Sequence, residues 1–370
     1  MLQGEIMVIT EPWHLLRYYF FCIFAMAAVP LHAQDTPARI AVVSSYHPEM
    51  AWVQDVHKGR CAALIESGYL DADEIATYSK TDRVEGNKCV IQKWWMDTKR
   101  LNERRQIADS LVRIVAAIDT FKPNVILLGD DNAANYIGNH YLDTGIPVVF
   151  CGVNGLPIKY GLVETIDRPG HNVTGIYQAG YHADAIRVLK QLDPEIKRLA
   201  LLSDDSPTGR AILKSFRNAV RKSNSDLKIV ATIQTNSYSK LQRMVKEVSV
   251  DAFFLGTLLT LKDDDDKPVS DDEAYQWYIS NIKVAEIATN RDAVNAGGLF
   301  CVEDAGSNQG RESVNVAARI LRGESPASIG CYTPGPGPVI FNNARLTNLG
   351  ITADPKSFAA NVEFLRPSDL

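Results

Sequence analysis

The 370-residue sequence has no block of charge of one sign. Its 39 Lys and Arg and 44 Asp and Glu are spread along the chain and leave a net charge of −5. A nucleic acid needs a stripe of cations to follow its phosphates, so nucleic acid is not an expected partner. Cysteine is scarce, with six residues and no CxxC pair, and the seven histidines never fall at metal-ligand spacing, so no metal is expected. The chain also lacks GxGxxG, GxxxxGK[ST], GxSxG and HExxH. No cofactor is expected, and binding is favoured over turnover. The adjacent pairs Asp130-Asp131 and Asp204-Asp205 do not change this, because neighbouring side chains point in different directions and make no acid/base pair by themselves. No apolar run reaches the ~20 residues of a spanning helix.

What is present is a globular composition, 46% hydrophobic and 22% charged, long enough for about two domains. Residues 1–33 stand apart. Arg17 precedes the apolar run 18–29, and Pro30-Leu31-His32-Ala33 follows as a cleavage site with Ala33 last, so residues 1–33 are expected to be a signal peptide and the product periplasmic. Glu5 and Glu11 precede the run, and Met7 offers a second start. Cys61, Cys89, Cys151, Cys301 and Cys331 remain in the mature chain and read as small buried hydrophobes; a pairing of Cys301 with Cys331 or Cys61 with Cys89 stays open.

From residue 39 short β-branched runs alternate with longer amphipathic stretches, the pattern of parallel strands crossed by helices. Strands are expected at 40–44, 75–78, 125–129 and 146–150, with helices at 53–66 and 107–121. After a Gly-rich connection, 152–180, the pattern restarts with strands at 199–203, 229–233 and 252–257. An acidic surface turn at 262–273, a helix at 273–289, a strand at 297–302 and a helix at 313–322 lead to a Pro/Gly crossing at 334–338. The fold class is α/β, two Rossmann-like lobes with a ligand cleft at a hinge. Residues 38–155 plus about 290–330 are assigned to the first lobe, and 156–289 plus about 331–365 to the second.

In open parallel sheets ligands sit outside the carboxyl ends of the strands. The candidates there are Ser45, Tyr46 and His47, then Asp131 and Asn132, then Asn154, Asp204, Thr257 and Glu303, flanked by the aromatic Trp52 and Tyr177. They suit a small polar or zwitterionic ligand. Each also has a structural use: Ser45, Asp131 or Asn132 as helix caps, His47 as a turn donor, Trp52 as core.

The segments Ser45-Tyr46-His47 with Trp52, Trp95-Met96-Asp97-Thr98-Lys99-Arg100, Lys122-Pro123 ahead of Asp130-Asp131-Asn132-Ala133, Pro147 to Asn154, and Asn172-Val173-Thr174-Gly175 together resemble the ABC transporter substrate-binding proteins. The similar type includes aromatic amino-acid binders, and its branch also supplies extracytoplasmic sensor domains to histidine kinases and diguanylate cyclases. The resemblance implies the type I periplasmic binding protein fold, with three crossings between lobes. It further implies a monomer that takes a small-molecule ligand and presents it to a membrane ABC permease or, alternatively, to a sensor kinase or cyclase in trans. Carried over residue by residue, Asp204 or Glu303 would hold a ligand ammonium and Ser45 or Thr257 its carboxylate. The Tyr-His-Pro loop and a charged insertion at 83–105 depart from the transport branch.

Overall fold

A computed structural model describes residues 36–101, 103–154, 156–358 and 361–366, and the signal-peptide reading of 1–33 lies outside them. The first part of the chain runs through β1 (Ala38–Ser44), α1 (Ala51–Glu66), α2 (Ala72–Lys80), β2 (Arg83–Glu85), β3 (Cys89–Trp95) and α3 (Arg104–Phe121). It continues through β4 (Val125–Gly129), α4 (Asp130–Ala133), β5 (Val148–Asn154) and β6 (Val173–Gln178). These strands form a six-stranded sheet in the order β2-β3-β1-β4-β5-β6. All pairings but β2 with β3 are parallel, and β4 is buried along its whole length, as a strand covered on both faces must be.

Residues 75–78, read as a strand, lie in α2. The reason is local: Asp71 accepts from the Asp73 and Glu74 amides while Glu74 accepts from the Asp71 amide, a capping box that starts a helix. The strand that pairs with β1 is β3, inside the stretch read as a charged insertion. Lys93 disguised it by breaking an apolar run, yet its side chain is buried and donates 2.7 Å to the Tyr78 carbonyl. The Gly-rich connection likewise holds β6, which pairs with β5 and extends the first sheet to Gln178.

The second part comprises α5 (His182–Leu192), β7 (Arg198–Ser203), α6 (Pro207–Lys222), β8 (Lys228–Gln234), α7 (Tyr238–Glu247), β9 (Ala252–Leu255) and α8 (Asp271–Asn281). It ends with β10 (Ala285–Ile287), α9 (Arg291–Asn295), β11 (Phe300–Val302), α10 (Gly306–Leu321), β12 (Val339–Asn342), α11 (Asn343–Leu349) and β13 (Val362–Leu365). Its seven-stranded sheet has the order β13-β12-β11-β10-β9-β7-β8, with β12 antiparallel to β11. The helix expected over 273–289 stops at Asn281, because Ala285–Ile287 is short, fully buried and paired with β9. Residues 263–267 form an exposed turn in which Asp263 accepts from the Asp265 and Lys267 amides.

The chain therefore crosses between the sheets at 179–181, 303–305 and 333–338. These boundaries differ from the sequence reading: β6 belongs with the first sheet, and α9 and β11 lie with the second. Helix α10 packs on α1 so closely that a Cβ at Gly59 would lie 1.8 Å from the Ser307 carbonyl oxygen, and one at Gly310 1.9 Å from that of Val56. The three crossings are tied side by side. Tyr181 Oη donates to the Pro334 carbonyl (3.0 Å), the Glu303 amide to that of Pro338 (3.0 Å) and the Gly337 amide to that of Glu303 (2.8 Å). All five described cysteines are unpaired, and all but Cys61 are buried.

Candidate functional site

In the first sheet the strand order reverses at β1, which has β3 on one side and β4 on the other, so the crevice beyond the ends of β1 and β4 is the switch point. Ser45 closes its floor. The buried hydroxyl donates to the Gly129 carbonyl (2.7 Å) and accepts from the Ala133 amide (2.8 Å), tying β1 to the start of α4. Asp130 follows with φ of 70°, a left-handed conformation that is costly outside glycine and gathers at functional sites. Its carboxylate accepts 2.6 Å from the Trp52 indole. Gly152 leaves room for this: a Cβ there would meet Asp130 Oδ1 at 2.8 Å. Burial pushes the Asp130 carboxyl up to about 7, against the opposing pull of the Trp52 hydrogen bond and the Arg60 charge.

Asp131 points to the other side. It accepts from the Tyr160 hydroxyl, from Asn154 Nδ2 (2.6 Å) and from the Asn154 amide (3.2 Å), with Lys159 Nζ 3.7 Å away. Tyr46 is half-buried beside both carboxylates, and burial, then Asp130 and Asp131, push its phenol up to about 12. Lys99 lies 5.0 Å from the centre of its ring. Asn132 donates to Thr98 Oγ1 (2.8 Å), which in turn donates to the Ser45 carbonyl (2.9 Å). His47 turns toward Asp97, with Nδ1 3.2 Å from a carboxylate oxygen that also holds Arg100. The first sheet thus brings Tyr46, Trp52, Asp131, Asn132 and Asn154 together around Asp130 and Tyr160. Tyr177 stands apart, packed against the apolar cluster under β5 and β6.

The second sheet reverses at β7, between β8 and β9. Asp204 at its end is fully buried and saturated: Oδ1 accepts from Ser206 Oγ (2.6 Å) and the Ser206 amide (3.2 Å), and Oδ2 from the Thr260 amide (3.1 Å). Its own amide donates to the Thr257 carbonyl (2.7 Å). Thr257 Oγ1, by contrast, is buried without a hydrogen-bond partner among the described residues. Glu303 is gripped through both oxygens by Arg291 (2.8 and 3.0 Å), which also holds Glu363 in the same way and is held protonated by the pair. The expectation that Asp204 or Glu303 meets an ammonium therefore runs against the full burial of Asp204 and the Arg291 grip on Glu303, whereas Asp131, also hydrogen-bonded, keeps its side chain 22% exposed. The Ser45 hydroxyl is engaged in the fold.

The groups that sequence reasoning left out of the site are Asp130, Tyr160 and Asp304. Asp130 lies in the strand-end run and the resemblance segment but not among the ligand candidates, because nothing local announces a positive φ. Tyr160 carries no motif. Asp304, next to Glu303, accepts from Gln309 Nε2 (3.4 Å), and burial pushes it up to about 7. It borders a hollow of about 40 Å³ with Tyr181, His182, Phe254 and Thr289 at the first crossing. The arrangement can oppose a cation with carboxylates and flank a flat body with aromatic rings. Among the described residues no group of three acids, histidines or cysteines is placed to hold a metal.

Residues 97–361, well over half of the chain, match the family described as ABC transporter substrate binding protein. A tyrosine-binding protein of Clostridioides difficile (strain R20291) is 22% identical over 227 residues, 60% of this chain and 62% of the relative. The match thus spans less than two thirds of that relative's length. Of solved structures, the ligand-free, open form of a substrate binding protein with adhesive properties from Clostridium difficile is similar with a TM-score of 0.65 at 18% identity, covering 89% of this chain and 99% of that one. An ABC domain from Streptococcus pneumoniae in complex with L-Trp gives a TM-score of 0.57 at 18% identity, over 89% and 100% of the two chains. The fold they share with this chain is the two-lobed type I periplasmic binding protein, and the curated relative and the open Clostridium difficile structure are binding proteins. On the extent of the family match, this chain belongs to the ABC transporter substrate-binding proteins.

Proposed function

We propose that the chain is an exported solute-binding protein that captures a small, amino-acid-like ligand between its lobes and neither makes nor breaks a bond in it. The observation that carries this is the crevice at β1 and β4, where Trp52 donates to Asp130, Asn154 and Tyr160 donate to Asp131, and half-buried Tyr46 lies near both carboxylates. In this reading Asp131 opposes the ligand ammonium, Tyr46 and Trp52 flank its body, and Asn132 and Asn154 orient it. His47 borders the same edge. The unpartnered Thr257 hydroxyl supplies the second lobe's contact to the ligand carboxylate. Closure about the tied crossings is a population shift, in which the ligand favours the closed state by its differential affinity for it.

The sequence of residues 1–33 supports export to the periplasm, and family membership supports delivery to a membrane ABC permease; the chain acts as a monomer in this reading. A thermal-shift screen of amino acids, short peptides and organic acids tests the reading. A ligand at 100 times its dissociation constant adds about 2.7 kcal/mol of stability. Asp131→Asn is expected to weaken the response at least tenfold, and a stabilising compound recovered unchanged supports binding. Recovery of a chemically altered compound, or an undiminished response in Asp131→Asn, sinks the corresponding part of the proposal.

A further inference from the structure

Between α1, α2 and β3 lies a cavity of about 270 Å³, lined by Val53, Gln54, His57, Ser79, Thr81, Asp82, Lys93 and Trp95 with Pro48 and Lys80 at its edge. None of the crevice groups lines it. At its floor Lys93 is only 7% exposed, and its ammonium has one hydrogen bond, to the Tyr78 carbonyl. It lies 4.6 Å from the centre of the Tyr78 ring and 5.9 Å from that of Trp95. Burial lowers the Lys93 pKa, Asp82 opposes this and neighbouring Arg60 adds to it. Arg60, 5% exposed and drawn by the Asp130 charge, donates to Cys151 Sγ at 3.3 Å, and its Nε has no partner among the described residues. Neither cation has a carboxylate within 4.0 Å among the described residues. Asp82 supplies the cavity's one carboxylate and is already bonded by the Trp95 indole at 3.0 Å. His57 adds no charge at neutral pH, since burial, Lys93 and Arg60 push it down to about 4.

Asp82 and Asp130 attract these cations from a distance, but a buried ammonium with no carboxylate in contact is only partly compensated; with Arg60 behind it, Lys93 leaves a positive potential at the cavity floor that an anion would relieve. An inorganic ion is too small for the space, given that a water molecule takes up about 30 Å³, whereas ligand pockets begin near ~300 Å³. One wall is also apolar, formed by Trp95, Val53 and Pro48. We propose that this cavity is a second ligand site, which takes a small organic carboxylate with its charged end at Lys93 and its body against Trp95.

The test uses 4-fluorobenzoate and the whole folded protein, with fluorine NMR line broadening as the readout. The wild type is expected to broaden the signal, and Lys93→Met to weaken binding at least tenfold. Gln54→Trp, at an exposed helix position on the cavity wall, plugs the space while keeping the charge, and is expected to do the same. Asp131→Asn, in the crevice, is expected to leave this binding intact, which separates the two sites. The proposal is overturned by no broadening with the wild type, by broadening that survives both Lys93→Met and Gln54→Trp, or by loss in Asp131→Asn alone. Lys93-dependent binding of inorganic phosphate in place of 4-fluorobenzoate overturns it too. If Lys93→Met fails to fold, Gln54→Trp decides.

Discussion

The two lobes treat buried charge and strand ends in opposite ways. In the second, Arg345 and Glu286 are 1% and 0% exposed and pair through both oxygens at 2.9 and 2.8 Å, and Arg345 further donates to the Ile279 and Ile282 carbonyls. Asp204 at its switch point is saturated as well. Among the described residues of the first lobe Arg60 and Lys93 have no carboxylate within 4.0 Å, and Asp130 is held at positive φ with its proton affinity raised by burial. Equivalent places in two sheets of similar build therefore carry different loads. The second lobe ties its buried charges into its own fold, leaving Thr257 Oγ1 unpartnered, and the first holds Asp130 at positive φ and two buried cations without a carboxylate in contact.

The comparison can be broken most severely at the buried pair. Glu286→Gln leaves Arg345 without a counter-charge and is expected to cost about 3–5 kcal/mol in a urea melt. A loss below 1 kcal/mol would show the pair is not structural. Asp204→Ala strands the Ser206 and Thr260 donors and is expected to lower the stability of the empty protein by about 2 kcal/mol, while the folded remainder still responds to ligand. An unchanged melt combined with a lost response would return Asp204 to the site.

Asp130 sharpens the contrast through pH. Its folded pKa, about 7, lies above the ordinary aspartate value of 3.8, so the folded state holds a proton that the unfolded chain releases. The stability it contributes is present below pH 4 and lost as pH rises toward 7. Relative to Asp130→Asn, the wild type should thus lose up to about 1.4 kcal/mol per pH unit across that window and level off above it. Parallel stability curves for the two proteins would mean Asp130 is ionised throughout. The smallest effect is expected for Lys93→Met, within about 1 kcal/mol of wild type, because losing the Tyr78 contact is offset by relief of an unpaired buried charge. A loss as large as that of Glu286→Gln would make Lys93 a structural cation like Arg345.

The alternation of apolar runs and amphipathic stretches was enough to indicate an α/β chain of two lobes, because strands such as 125–129 and 199–203 are buried on both faces and must be apolar throughout. Short elements were less legible. Residues 75–78 look β-branched and aromatic but obey the capping box at Asp71 and Glu74, and β3 was masked by a lysine whose stem lies in the interior. The strand-end rule reached most of the crevice but could not rank its members, since nothing in sequence shows that Asp204 is fully buried and Glu303 clamped by Arg291 while Asp131 stays partly exposed.

The sequence alone determined the class of the fold and pointed to the strand ends, since periodicity is a property of the chain read in order. The tertiary structure alone decided which polar groups remain unengaged. Hydrogen-bond partners such as Thr260 for Asp204, Arg291 for Glu303 and Ala133 for Ser45 lie 56, 12 and 88 residues away, and only folding brings them within 3.1 Å.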